Sequence, residues 1–289
     1  MPDNELTRKK QGEFTIFCRR LGKNKLAVLG LCVFIAMCIA TVFATSLTPY
    51  NFDEMDMSMK LKPPTWEHPF GTDNLGRDVL ARVLYGGRYS LSLGLIATLV
   101  ALALGIIAGA FAGYYGGIVD TLIMRCFDVI QAIPSILIAI VTSAIVGTGF
   151  MGTIFAIALP GVPGYARLLR GQFLSVGQQE YVEAATSLSC SKLKIMFKHI
   201  LPNAFSPLIV SATMNVANAV LTAASLSFIG LGVQSGIPEW GAMLSSSRNY
   251  MRDYPYMVIF PGLCIMISVL CLNLLGDGVR DALDPKLKD

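Results

Sequence analysis

Acidic and basic residues are missing from five long runs of the sequence, Leu26–Phe52, Tyr89–Val119, Val129–Ala166, His199–Pro238 and Tyr254–Gly276. A bilayer crossing takes about 20 apolar residues, so each run is long enough to span. The third holds about 38 residues, close to two crossings, with a glycine-rich turn from Val146 to Gly152 at its middle. That pattern predicts a helical hairpin. Counting it twice gives six helices, near 26–47, 90–112, 123–146, 152–168, 205–230 and 255–276. An even number of crossings places both termini on one side. If that side is cytoplasmic, the inner segments hold fifteen Lys and Arg and the outer segments seven, with Arg125 at the inner start of the third helix. The positive-inside bias therefore predicts cytoplasmic termini.

Composition agrees with a lipid environment. Hydrophobic residues make up 54% and charged residues 15%, with a mean hydropathy of +0.59, against roughly 25% charged in a soluble domain. The first apolar run follows Arg19, Arg20, Lys23 and Lys25 but is longer than a signal-peptide core, so it reads as a retained anchor. The chain divides into a basic N-terminus (1–25), that anchor (26–47), an outer loop (48–88), a core of five helices (89–279) and a tail (280–289). The net charge of +4 fits attraction to inner-leaflet lipid, and no basic patch interleaved with aromatics points to nucleic acid. The seven cysteines include none in the two large outer loops and form no CxxC pair.

Several chemistries have no residues to carry them. There is no phosphate loop of the GxxxxGK[ST] type for ATP. His68 and His199 fall on opposite sides of the predicted membrane, which removes a two-histidine metal site. Helix centres lack the ionisable groups on which proton relays and voltage sensors depend.

Four segments carry more specific information. The inner loop 169–204 contains a helix-prone stretch from Glu180 to Leu188, including Glu183, Ala184 and Ala185. In a second helix, Leu193, Met196, Phe197 and Ile200 share one face, Ser191 stands at the cap position and Pro202 interrupts before helix five. These short helices either dock into another protein or lie on their own bundle and the inner leaflet. The outer segment His68–Arg88 offers a Gly- and Asp-rich turn and then an amphipathic helix, with Arg77, Arg82 and Arg88 near the outer headgroups. It either orients the second helix or receives substrate. Between Pro238 and Tyr250, Glu239 and Arg248 are candidates to contact an outer partner, while Trp240 suits an interfacial anchor. The fourth segment is the C-terminal run Asn273–Lys288. Within the helices, Gly105, Gly109 and Gly113 form a double GxxxG face suited to helix packing. Pro160 and Pro163 imply an interrupted backbone that faces protein or a watery cavity, and Asn215 and Asn218 either line such a cavity or bond neighbouring helices.

Glu183-Ala184-Ala185, position 189 and Leu201-Pro202 resemble the EAA signature of ABC importer permeases. The four segments, in order, are similar to those of the second permease in dipeptide and oligopeptide systems. The resemblance implies an all-α, polytopic type I ABC importer permease fold of six transmembrane helices in the bacterial cytoplasmic membrane. It also implies a heterodimer with a homologous permease, two cytoplasmic ATPases holding ATP and Mg, and an external solute-binding protein. Coupling to the ATPases then falls to Glu183, Ala184, Ala185, Ser189, Leu201 and Pro202, binding-protein contact to Arg77, Glu239 and Arg248, and the pathway to Pro160, Pro163, Asn215 and Asn218. This chain would bind no cofactor and catalyse no reaction. The family's glycine is replaced by Ser189, so either the turn keeps a left-handed backbone under strain or, the outcome expected here, it shifts to right-handed geometry with Ser189 or Ser191 capping the second helix. Small peptides are the expected cargo, with nickel, glutathione or another small solute as alternatives. An autonomous channel or secondary transporter, or a noncatalytic structural subunit, is the reading from another class.

Overall fold

The computed structural model describes residues 13–234 and 236–283. Among them the chain is helical apart from turns and one isolated bridge, Thr72 to Asp78. A short amphipathic helix, α1 (Glu13–Lys23), leads into the anchor α2 (Lys25–Val42), which Asn24 caps by accepting from the Ala27 amide at 3.2 Å. The turn α3 (Ala44–Leu47) and a 3₁₀ turn at Met57–Met59 then enter the outer loop.

The core runs α4 (Val79–Tyr115), α5 (Gly117–Gln131), α6 (Ser135–Val146) and α7 (Phe150–Val176). On the loop after α7 lie α8 (Glu180–Ser187), α9 (Lys192–Lys194), a π-helical turn Ile195–Ile200 and α10 (Leu201–Ala204). Helices α11 (Ser206–Phe228), α12 (Trp240–Ser247) and α13 (Tyr256–Leu283) complete the chain. Five helices are long and apolar enough to cross a membrane, and the count is six if the bent pair α5–α6 forms one span.

Several boundaries differ from those the hydropathy pattern predicts. The second span begins at Val79, because the amphipathic outer helix continues into it without a break. Its 37 residues extend about 55 Å at 1.5 Å each, well beyond a hydrocarbon core of roughly 30 Å. The third span is bent by 94° between Gln131 and Ser135. Pro134 sits at that bend, and it both lacks an amide donor and steers Ile133 away from helical geometry. The fourth and sixth spans run on to Val176 and Leu283, so the inner loop and the tail begin inside helices. Pro160 and Pro163 do not interrupt α7, which passes through both while packed on α4, α6 and α11.

Helix α4 packs most extensively on α7. Glycine makes this possible: a Cβ on Gly105 would stand 2.4 Å from Tyr165 Cβ, one on Gly109 2.5 Å from the Ala166 carbonyl oxygen, and one on Gly113 2.6 Å from Phe173 Cβ. Meanwhile the anchor α2 buries only Ala27, Gly30 and Thr41 and leaves Leu29, Ile35, Ile39 and Val42 exposed, as a lipid-facing helix does.

Replacing Gly109 by Ala forces backbone apart at this contact, and overpacking of this kind costs about 1–3 kcal/mol. Gly109→Ala is expected to lower the melting temperature of the purified protein. Gly164→Ala, where nothing lies within 4 Å of the added carbon, is expected to leave it unchanged or raised.

Candidate functional site

Three regions gather the residues that the sequence singles out. On the face that the sequence predicts to be the inner one, α8 turns Val182 and Ala185 inward, where they join Ile195, Met196 and Ile200 in one cluster with Tyr165, Leu169 and Phe173 of α7. Its other face is open: Glu183, Ala184, Leu188 (79% exposed) and, from the next turn, Leu193 and Phe197 are exposed. The expected stripe is therefore split, with Met196 and Ile200 buried but Leu193 and Phe197 exposed. The π-helical turn explains this, since its wider spacing carries residues out of the i, i+3, i+4, i+7 register. Pro202 does not end the helical path either, because it occupies the first turn of α10, where a missing amide donor costs nothing. Leu201 is half-buried and Pro202 exposed.

The turn after α8 is left-handed, contrary to the right-handed geometry the sequence predicts. Ser189 has φ +54°. Its amide donates to the Thr186 carbonyl at 2.9 Å and the Cys190 amide donates to Ala185 at 3.2 Å. That pair of bonds is a Schellman cap, which requires a left-handed residue at position 189. Ser191 stands at the start of α9, but its side chain makes no capping bond.

Within the bundle, a cavity of about 200 Å³ lies between α4, α7 and α11, with Ser135 at the start of α6 on its border. Pro160, Asn215 and Asn218 line it together with Thr98, Tyr165 and Thr222. Pro163 does not, because it is buried on another side of α7. Asn215 Nδ2 donates to Ser211 Oγ of its own helix at 3.3 Å. The Tyr165 hydroxyl is buried without a close hydrogen-bond partner among the described residues. Nothing in the sequence distinguishes Tyr165 from other intramembrane aromatics.

On the outer face, the polar residues turn inward. Arg77 Nε donates to Asp73 Oδ2 at 2.7 Å, and the Arg77 and Leu75 amides donate to Asp73 Oδ1. Arg82 Nη1 donates to the Phe52 carbonyl at 3.0 Å, while His68 Nδ1 lies 2.9 Å from Asp78 Oδ2 and Asp78 Oδ1 caps α4 through the Ala81 amide. Arg77 and Arg82 are thus buried within the protein, and Arg88 is spent on the Thr41 and Val42 carbonyls that end α2. As a contact for an outer partner Arg77 is corrected by its burial, and so is Glu239, which is 0% exposed.

Glu239 caps α12 instead. Its Oε1 accepts from Ser90 Oγ at 3.0 Å and from the Gly241 amide, and its Oε2 from the Ala242 amide. Trp240 is buried too, and its indole N–H donates to the Val83 carbonyl at 2.9 Å, so it anchors to protein rather than to the interface. Gly86 admits this loop, since a Cβ there would fall 1.8 Å from the Pro238 carbonyl oxygen. Of the three proposed outer contacts, only Arg248 is exposed.

The inner end of the α5–α7 pair is closed by ion pairs: Arg170 grips Asp120 at 2.5 and 2.6 Å, and Arg167 Nη2 reaches Asp128 Oδ1 at 2.6 Å. Asp128 and Arg167 flank the run Val129–Ala166, so the hairpin pattern itself contained the signal that they meet.

Residues 105–289 match the family described as binding-protein-dependent transport system inner membrane component, and residues 14–64 match the N-terminal TM domain of oligopeptide transport permease C. The chain is 45% identical over 270 residues to the dipeptide transport system permease protein DppC of Alkalihalophilus pseudofirmus, covering 93% of this chain and 89% of that one. It is 44% identical to the glutathione transport system permease protein GsiD of Pectobacterium atrosepticum, over 94% and 91% of the two chains. It is 42% identical to the di/tripeptide transport system permease protein DppC of Pseudomonas aeruginosa, over 94% and 92%. Among solved structures, inward facing conformations of the MetNI methionine ABC transporter share the fold, with a TM-score of 0.55 at 19% identity over 70% of this chain and 96% of the other. The chain therefore belongs to the binding-protein-dependent transport system inner membrane component family and is a multi-pass inner-membrane transport permease.

Proposed function

We propose that this permease carries small peptides. It works as one half of a heterodimer with a homologous permease, driven by two cytoplasmic ATPases and supplied by an external solute-binding protein. The names of the relatives support the cargo, since they transport dipeptides, di- and tripeptides or glutathione, which is itself a tripeptide. ATP and Mg belong to the ATPase subunits, and both termini of this chain lie in the cytoplasm with α8 and the turns after it.

The observation that carries the mechanism is the two-faced packing of α8. Its inner face belongs to the same cluster as α7, and its outer face, with Glu183, Ala184 and Leu188, is left uncovered. A partner seated there pushes directly on α7. Small Ala184 permits close approach, and the Glu183 carboxylate accepts a charge-assisted hydrogen bond. Closure of the ATPases on ATP then rocks α7 against α4 and α11 and opens the cavity between them to the outside.

Glu183→Lys is expected to abolish uptake of labelled dialanine by membrane vesicles containing the whole complex, while the chain inserts at wild-type level; undiminished uptake would remove Glu183 from the coupling role. Ser189→Gly relieves a left-handed serine and is expected to stabilise the loop by about 1 kcal/mol, seen as slower proteolysis between α8 and α9. Orientation is checked with single cysteines on a cysteine-free background. An impermeant maleimide is expected to label position 245 and not 187 in intact cells, and the reverse would invert the topology.

A further inference from the structure

The cavity between α4, α7 and α11 has no acidic, basic or imidazole side chain on its walls. Its polar groups are neutral, and most of them are occupied: Thr98 bonds to the Gly94 carbonyl and Thr222 to the Asn218 carbonyl, both at 2.8 Å, and the Asn215 amide bonds to Ser211. Tyr165 differs. It is 2% exposed, and its hydroxyl forms no close hydrogen bond among the described residues, with Asn215 the side chain placed to make a weak one. A buried hydroxyl without a close protein partner is disfavoured, and native structures rarely keep one without a use.

Tyr165 also lies on the helix that connects the two ends of the molecule. Its ring belongs to the cluster that supports Val182 and Ala185 of α8. On the opposite side, its Cβ fills the space left by Gly105. A push on α8 therefore displaces the segment of α7 that carries this hydroxyl, and separation of α7 from α11 uncovers it.

We propose that Tyr165, with Asn218 and Ser135, forms a neutral subsite that hydrogen-bonds a backbone amide of the passing peptide once the cavity opens. The proposal rests on the peptide reading above and adds the group recognised. Charged peptide termini find no counter-ion on these walls, so the amide is the part of the cargo that the cavity suits. At about 200 Å³ the space is smaller than the roughly 300–1,000 Å³ of a complete small-ligand site. It holds one peptide unit, and the facing permease supplies the remainder.

Because the hydroxyl has at most a weak contact with Asn215 in this conformation, Tyr165→Phe removes little internal bonding, and a transport defect at wild-type assembly reports a lost contact with cargo. The whole complex is reconstituted in proteoliposomes with the binding protein saturating, and uptake of dialanine and of glutathione is measured. The maximal rate is expected to fall about fivefold, the loss of one neutral hydrogen bond, with KM unchanged and assembled complex recovered at wild-type yield. Equal uptake by the variant, with wild-type import intact, would overturn the subsite and leave the peptide reading standing. A fall matched by loss of assembled complex would assign the hydroxyl to folding and also overturn the subsite. Failure of the wild-type complex to import either solute would overturn the peptide reading and the subsite with it.

Discussion

The contact of α4 with α7 is the constraint on which the other packing depends. Lipid tails are as apolar as leucine, so helices in a bilayer associate through close packing rather than through expulsion of water. Gly105, Gly109 and Gly113 let α7 approach until Tyr165, Ala166 and Phe173 occupy the volume that side chains would otherwise take. That approach fixes one wall of the cavity against the other. It also fixes the inner half of α7, onto which the buried faces of α8 and the π-helical turn pack. Any force applied at Glu183 and Leu188 is delivered to a helix already seated along its length.

The outer end is held by different chemistry. A 37-residue α4 is longer than a hydrocarbon core is thick and calls for support at its first turns. Two loops supply it: residues 48–78 clasp its first turn through Asp73, Arg77, Arg82, His68 and Asp78, and the loop before α12 clasps it a turn or two later through Glu239, Trp240 and Ser90. Burying charge is costly unless every partner is in place, so such networks specify a geometry more than they add stability. Here they set the direction in which α4 enters the bundle. The inner ion pairs of Asp120 and Asp128 with Arg170 and Arg167 hold α5 to α7 in the same manner, but in a more exposed setting where such pairs contribute little to stability.

Ser189 shows how a local rule can be overruled. Taken alone, a serine in the place of glycine favours a right-handed turn, and Ser191 offers a cap to fix it. The chain instead completes a Schellman cap on α8, because that geometry pairs the last carbonyls of the helix and brings Cys190 back against the core that Ala185 enters. The strain of one left-handed residue is offset by satisfied backbone and buried contact.

The sequence by itself determined the membrane class, the five apolar runs, the hairpin in the third run, the glycine face of α4 and the family, because hydropathy, small-residue spacing and motif order are all properties of neighbouring residues. Tertiary structure alone decided the 94° bend at Pro134, the continuity of α4 with its outer helix, the burial of Arg77 and Glu239, and the left-handed Ser189. Each of these depends on a partner distant in the chain or on a competition between packing and local preference. A carboxylate such as Glu239 looks exposed in sequence because the residue that satisfies it, Ser90, lies 149 positions away. Only the fold brings the two together.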